Sequence, residues 1–295
     1  TEIMNTVYGE IPYDRLDLWR RFCNYYYNCL RDVDRHMMKL IHSLEDTGQI
    51  DNTIIFMISD HGEMLGQQGA RGKIVSWEES IRVPTLVYHP DLKDKKLCNS
   101  VISNIDIVPT LLEFTGLSKS ELRDKHPELK GNSYAELVEN VNYDNVRDKE
   151  GHLIHGVQII PTVFEVAEKF RHTALADGFL AKTKAFMSEG KFLPDFTPPL
   201  NYKGVVDKKH KFLRFFSPRQ NNIPTNYDEL TKYNAEYQLY DLENDPFEMN
   251  DLAKDENNRD LLMSMNDKCN TLADKEIGLE NHVIHLPGPD WFWTA

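Results

Sequence analysis

Apolar residues recur every three or four positions from about residue 13 to residue 44. Leu16, Trp19, Cys23, Tyr26, Leu30, Val33, Met37, Leu40 and Leu44 fall on one side of a helical repeat. Gly48 supplies the stop. The run Tyr25, Tyr26 and Tyr27 fits helix packing. The period then changes. Residues 53–59 form an apolar, β-prone run that reads as a buried strand. Gly62, Gly66, Gly69 and Gly72 follow, so the backbone can turn sharply there. Residues 76–81 suit a helical turn, 84–88 a second short buried strand, and 104–114 a helix stopped by Gly116. This helix–strand–loop–strand–helix order predicts the parallel, doubly wound part of an α/β sheet.

After Lys130 the pattern weakens, and residues 140–200 show few clear periods. Residues 202–216 and 237–242 then read as strands of a smaller antiparallel sheet, and 255–275 as a closing helix. The last stretch, 282–295, carries His285, Trp291, Phe292 and Trp293. An aromatic tail of this kind is expected to dock on its own surface or on a second copy, which would make a homo-oligomer.

Composition narrows the function classes. Net charge is -13 over 295 residues, which argues against a nucleic-acid partner. No apolar run approaches the roughly 20 residues of a membrane helix, so no membrane partner is expected. The four cysteines, Cys23, Cys29, Cys98 and Cys269, lack metal-ligand spacing and read as free, mostly buried thiols. No Asn-x-Ser/Thr sequon occurs, which favours a cytoplasmic or bacterial periplasmic location over a glycosylated secretory one. The chain opens on Thr1 and runs almost at once into helical pattern, so it reads as a piece of a longer polypeptide.

The chemistry concentrates at the end of the first strand, Thr53-Ile-Ile-Phe-Met-Ile-Ser-Asp-His-Gly-Glu. Open α/β sheets place ligands at the carboxyl ends of their strands. Asp60 and His61 can face one cation if the backbone turns at Gly62; carboxylate suits Ca2+, Mg2+ or Mn2+, and imidazole tilts toward transition metals. Lys73, twelve positions beyond His61, can hold an anionic oxygen. The residue types leave a second reading open, a strand-to-loop turn in which Asp60 and His61 bond the backbone.

The wider pattern resembles the sulfatase family of the alkaline phosphatase superfamily. It comprises the segment above with Met64-Leu-Gly66, Gly72-Lys73, Glu78-Glu79-Ser80-Ile81-Arg82-Val83-Pro84 and Val33-Asp34. In the family's order come Ile105-Asp-Ile-Val-Pro-Thr-Leu-Leu-Glu-Phe-Thr-Gly116, Lys130-Gly-Asn-Ser, Leu239-Tyr-Asp-Leu-Glu-Asn-Asp-Pro and Glu248-Met-Asn-Asp-Leu-Ala253. The resemblance implies the second half of a doubly wound, mostly parallel α/β sheet with flanking helices over residues 1–140. Residues 141–295 are then a smaller subdomain with an antiparallel sheet, a closing helix and the tail. It implies Asp60 and His61 as ligands of one divalent metal, Ca2+ foremost, and Lys73 as the contact to a sulfate oxygen. The Asp-His pair is similar to the branch holding phosphonate monoester hydrolases and choline sulfatases. Arg71 stands where the family often has tryptophan, and its cation either touches substrate or is solvated. Glu63 and Glu79 read as structural or loop-capping.

The family's nucleophile sits in Cys/Ser-x-Pro-x-Arg, its cysteine converted to formylglycine. No cysteine here is followed by that pattern, and Ser217-Pro-Arg219 has its proline one position early. The resemblance therefore implies a sulfatase acting on small-molecule or glycan sulfate esters, present as a C-terminal fragment. That fragment is expected to be inactive until joined to its N-terminal half. The same scaffold also serves phosphonate monoester and phosphodiester hydrolysis. A non-catalytic binding or scaffold subunit is the reading of another class, and the intact Asp60, His61 and Lys73 argue against it. His152, His155, His172 and His210 read as surface or packing residues that could line a pocket.

Overall fold

The structure, a computed structural model, describes residues 11–73, 75–92, 94–157, 201–216, 223–233 and 236–278. His172, Ser217-Pro-Arg219 and the 282–295 tail lie outside the described residues. Chain order is α1 (Leu16–Asp46), β1 (Ile55–Met57), α2 (Glu78–Ile81), β2 (Leu86–Tyr88), α3 (Ile107–Phe114), α4 (Lys119–Lys125), α5 (Ala135–Glu139), α6 (Val146–Glu150), β3 (His152–Val157), β4 (Asn201–Val206), β5 (His210–Phe216), α7 (Tyr227–Tyr233), β6 (Glu236–Asp241) and α8 (Arg259–Glu276). The α/β class expected from the sequence is what the chain adopts. No described helix is long and apolar enough to cross a membrane.

The chain packs as two units, one of Thr1–Cys98 with Val138–Val141, the other of Asn99–Leu137 with Asn142–Ala295. Residues 99–137 therefore group with the later elements. The cause is a buried ion network. Arg147 on α6 forks onto Asp106 just before α3, with Nε at 2.5 Å and Nη2 at 2.7 Å, and its Nη1 reaches Glu276 at the end of α8 at 3.0 Å. Asp106 also accepts the backbone N–H groups of Ser103 and Asn132, at 2.9 and 2.7 Å. Two separated motifs, Ile105-Asp106 and Lys130-Gly-Asn-Ser, thus meet on one carboxylate.

In the first unit α1 starts and ends within three residues of its expected bounds. Among its residues none is buried, and Tyr25 and Tyr27 point largely to solvent. The apolar stripe is real, yet within this unit little covers it. The two strands correct the expectation in two ways. They pair antiparallel, with Phe56 opposite Val87, because the connection from Ile58 to Thr85 contains only a 3-10 turn and the single-turn α2. A parallel return needs a crossover of a dozen or more residues, usually a helix. Neither strand is buried, since the described sheet here has only these two strands to cover each other.

The second unit is built on the four-stranded antiparallel sheet β3-β4-β5-β6. The run expected over 202–216 is two strands. Asp207 Oδ1 accepts the N–H groups of Lys209 and His210 at 3.0 and 2.8 Å, which turns β4 into β5. Strand β3 lies in the stretch that had no clear period. Val205, Phe212 and Leu239 pack with Leu262, Met265, Cys269 and Leu272 of α8 to form the core. Lys211, fully buried, meets the buried Glu248 at 2.6 Å. The Asp241–Asp251 signature is a set of turn caps: Asp245 accepts the amides of Met249 and Asn250, and Asp251 those of Leu239 and Ala253. All four cysteines are free, but only Cys269 is buried. The others had no core to enter, because α1 and the segment near Cys98 lie open.

Candidate functional site

Asp60 and His61 follow directly on β1, at its carboxyl end. The backbone there is pinned from three sides. Ser59 Oγ donates to the His61 carbonyl at 2.8 Å, and Asp60 Oδ1 accepts the His61 amide at 2.9 Å. The Gly62 amide donates to the Ser80 carbonyl at 2.7 Å. A Cβ on Gly62 would run into the Glu79 carbonyl, so this close passage requires glycine.

These bonds settle the imidazole's orientation. His61 Nδ1 lies 2.9 Å from the Gly62 carbonyl oxygen, which can only accept. In the neutral ring Nδ1 therefore carries the proton, which leaves Nε2 to present a lone pair. Asp60 Oδ2 sits 3.3 Å from that Nε2. Lys73 Nζ hydrogen-bonds to the same nitrogen. The Asp60 side chain is 83% exposed and that of His61 38%, so the place where the three converge is open to a ligand.

The loop that returns Lys73 is held by a residue read from the sequence as a cap. Glu63 Oε1 accepts the Gly72 amide at 2.5 Å and, more loosely, the Leu65 amide at 3.4 Å. Met64 N–H closes the loop on the Gly72 carbonyl at 3.0 Å. Gly72 takes a positive φ of 83°, which favours glycine immediately before the lysine. Arg71 lies with its guanidinium carbon 5.7 Å from the ring centre of Phe22 on α1, a cation–π distance. Sequence reasoning passed over Ser59 and Ser80, whose contributions run through a hydroxyl and a backbone carbonyl. Neither leaves a signal in residue type.

The donor set suits a hard divalent cation as two of its ligands. With metal–ligand bonds of about 2.0–2.4 Å, two donor atoms 3.3 Å apart subtend roughly 90° at the ion. Among the described residues no group of three or more His, Cys, Asp or Glu gathers. Asp60 and His61 are therefore a partial set. His152, His155 and His210 lie on the sheet of the second unit.

Comparison with known proteins agrees with these motifs. The sulfatase family model matches residues 5–117. An arylsulfatase of Clostridium perfringens is 33% identical over 121 residues, 40% of this chain and 24% of the relative. A choline-sulfatase of Rhizobium meliloti is 36% identical over 104 residues, 35% and 20% of the two chains. The solved phosphonate monoester hydrolase of Agrobacterium radiobacter superposes with a TM-score of 0.57 at 21% identity, over 85% of this chain and 41% of its own. The chain thus spans less than half the length of the relatives it matches, and on solved sulfatase structures it covers the C-terminal part. Over residues 5–117 the chain is similar to the sulfatase family, and its fold is that of the solved sulfatases and phosphonate monoester hydrolases.

Proposed function

We propose that this chain carries the cation-and-lysine half of a centre that hydrolyses sulfate esters. The observation that carries the reading is the convergence of Asp60 Oδ2 and His61 Nε2, 3.3 Å apart, with Lys73 Nζ on the same nitrogen. Asp60 and His61 would hold one divalent cation, with Ca2+ favoured by the carboxylate and Mn2+ or Mg2+ as alternatives. When bound, such an ion supplies Lewis-acid charge stabilisation at the ester and lowers the pKa of a coordinated nucleophile.

The chain's own residues do the rest of what is proposed here. The Gly62 carbonyl fixes the protonated Nδ1, so Nε2 stays a ligand. With that lone pair on a cation, Lys73 would have no acceptor there, and its ammonium could meet the nonbridging oxygens of the substrate. There it offsets the charge that develops as the ester bond breaks. Glu63 and Gly72 hold the loop that aims it. Arg71 is a second cation on that loop, packed against Phe22. The nucleophile, a formylglycine or serine in Cys/Ser-x-Pro-x-Arg, belongs in this reading to an N-terminal half that completes the site. The substrate is a small-molecule or glycan sulfate ester.

The test has two readouts. Calorimetric titration of the chain with Ca2+ and Mn2+ should show binding that Asp60→Ala weakens at least tenfold; equal binding in the variant would remove the ligand assignment. A polypeptide joining this chain to a Cys/Ser-x-Pro-x-Arg segment should hydrolyse 4-nitrophenyl sulfate faster than a phosphodiester of the same phenol. The reverse preference would move the reading to phosphodiester hydrolysis. Enzyme-like turnover by residues 1–295 alone would overturn the division of the site.

A further inference from the structure

The loop that carries Lys73 is bent more sharply than its residue types favour. Leu65, Gly66, Gln68, Gly69 and Gly72 all take positive φ, and Leu65 at 48° and Gln68 at 51° do so with a side chain. Such backbone is strained and persists where its surroundings enforce it. The loop's own hydrogen bonds close it on itself. The Gly66 amide donates to the Ala70 carbonyl at 2.8 Å, and the Ala70 amide to the Gln67 carbonyl at 2.9 Å. These bonds set its shape but not its place.

Its place is set by the start of α1. Trp19, Phe22 and Cys23 have the spacing of one helix face and are half-buried, while Tyr25 and Tyr27 on the same turns are exposed. Trp19 abuts Gly66, where an added Cβ would stand 3.2 Å from the indole. Phe22 lies beneath the Arg71 guanidinium. Cys23 Sγ donates to the Leu65 carbonyl at 3.8 Å. Tyr13, just before the helix, fills the space that a side chain on Gly69 would need. The indole is itself locked. Its Nε1 donates to the Pro12 carbonyl at 3.2 Å, and its ring meets that of Phe22 edge-on at 6.3 Å. Four positions of the loop thus rest on one short stretch of chain, and the last of them, Arg71, is two residues from Lys73.

This seat bears on the chemistry through aim. A lysine ammonium rides on a flexible four-carbon stem, so the position of its backbone decides what it reaches. A misplacement of about 1 Å at a reacting centre costs on the order of a hundredfold in rate. We propose that Trp19 and Phe22 are positioning residues for Lys73. They hold the loop backbone still, so that the lysine side chain alone moves between His61 Nε2 and an anionic oxygen of the substrate. The substrate half of this statement rests on the proposed function; the seat itself rests on the contacts of α1 with the loop.

The experiment begins with the full chain, free of metal. Acetylation of Lys73 by acetic anhydride is followed by peptide mass spectrometry, and amide hydrogen exchange is followed at Gly62, Gly66 and Gly72. Trp19→Ala should speed Lys73 acetylation at least fivefold and lower protection at Gly66 and Gly72. The Gly62 amide, bonded to the Ser80 carbonyl, should keep its protection. Trp19→Phe keeps a six-membered ring against Gly66 and should stay within twofold of the parent. Should Trp19→Ala fail to fold, Phe22→Leu keeps apolar bulk, removes the ring beneath Arg71, and should shift acetylation in the same direction. Unchanged acetylation in both variants would overturn the seat. Equal loss of protection at Gly62 would also overturn it, by assigning Trp19 to general stability. In the polypeptide joined to a Cys/Ser-x-Pro-x-Arg segment, Trp19→Ala should lower kcat for 4-nitrophenyl sulfate at least tenfold, and should add nothing once Lys73→Ala is present. Additive losses in the double variant would overturn the positioning role and leave the proposed function standing. Turnover untouched by Lys73→Ala would remove the proposed function, and with it the substrate half of this proposal, while acetylation and exchange decide the seat independently.

Discussion

Replacing Arg147 with methionine removes the centre of the buried network while keeping most of its volume. Arg147 and Asp106 are each 1% exposed and Glu276 5%, so two carboxylates would be left without their cation in a dry site. Breaking a buried pair in this way costs about 3–5 kcal/mol. Whole domains are stable by only about 5–15 kcal/mol. The Asp106 carboxylate also organises backbone, accepting the Ser103 and Asn132 amides, so the loss should be felt there first. Amide hydrogen exchange at those two positions is the direct assay. A loss of about 3 kcal/mol corresponds to protection lowered by roughly two powers of ten. Adding Glu276→Gln to Arg147→Met should recover part of this, because one of the two stranded charges is gone. Arg147→Met that unfolds within about 0.5 kcal/mol of the wild type, the range of ordinary surface changes, would refute the argument.

Three further outcomes are expected. Gly62→Ala should displace the Asp60–His61 turn from α2, because the new Cβ meets the Glu79 carbonyl; cation binding measured by calorimetry should fall with it, and unchanged binding would contradict the close-passage argument. Burial holds the Glu276 carboxyl above its ordinary value of 4.5, with Arg147 opposing. Its contribution to stability is therefore present below about pH 4.5 and is lost as pH rises through the folded-state pKa. Glu276→Gln should flatten that part of the stability–pH curve measured by denaturant melts, and an unaltered slope would count against it. Lys73→Ala should leave amide protection in both units unchanged but lower sulfate-ester turnover of the completed enzyme by about a hundredfold or more. Turnover within a few-fold of the parent would exclude Lys73 as the anion contact.

Much of this molecule was legible because its information is local. The helical stripe of α1, the apolar run into Asp60, the glycine series and the cap-forming carboxylates of the Asp241–Asp251 segment are short-range patterns with a physical period or a fixed turn chemistry. The order of the motifs carried the resemblance to the sulfatase family. The spacing from His61 to Lys73 could suggest a shared site, because a glycine-rich loop of that length can return on itself.

What the pattern could not convey depends on partners distant in sequence. Apolarity predicted a buried β1 and a packed α1, yet burial requires a neighbour, and among the described residues β1 pairs only with β2 while α1 stands largely open. Strand direction was misread because it follows from the path between strands, and that path holds no crossover helix. The grouping of residues 99–137 with the later unit rests on Arg147, 41 positions from Asp106 and 129 from Glu276. Charge alone gives no sign that any of the three leaves water. Arg214 is the extreme case: only its place in β5 and the helix that covers it turn an ordinary arginine into a fully buried cation that donates to Asn266. Local chemistry specifies which elements form and where they turn. Which charges leave water, and what must then neutralise them, is decided by tertiary packing, because desolvation is a property of surroundings and not of residue type.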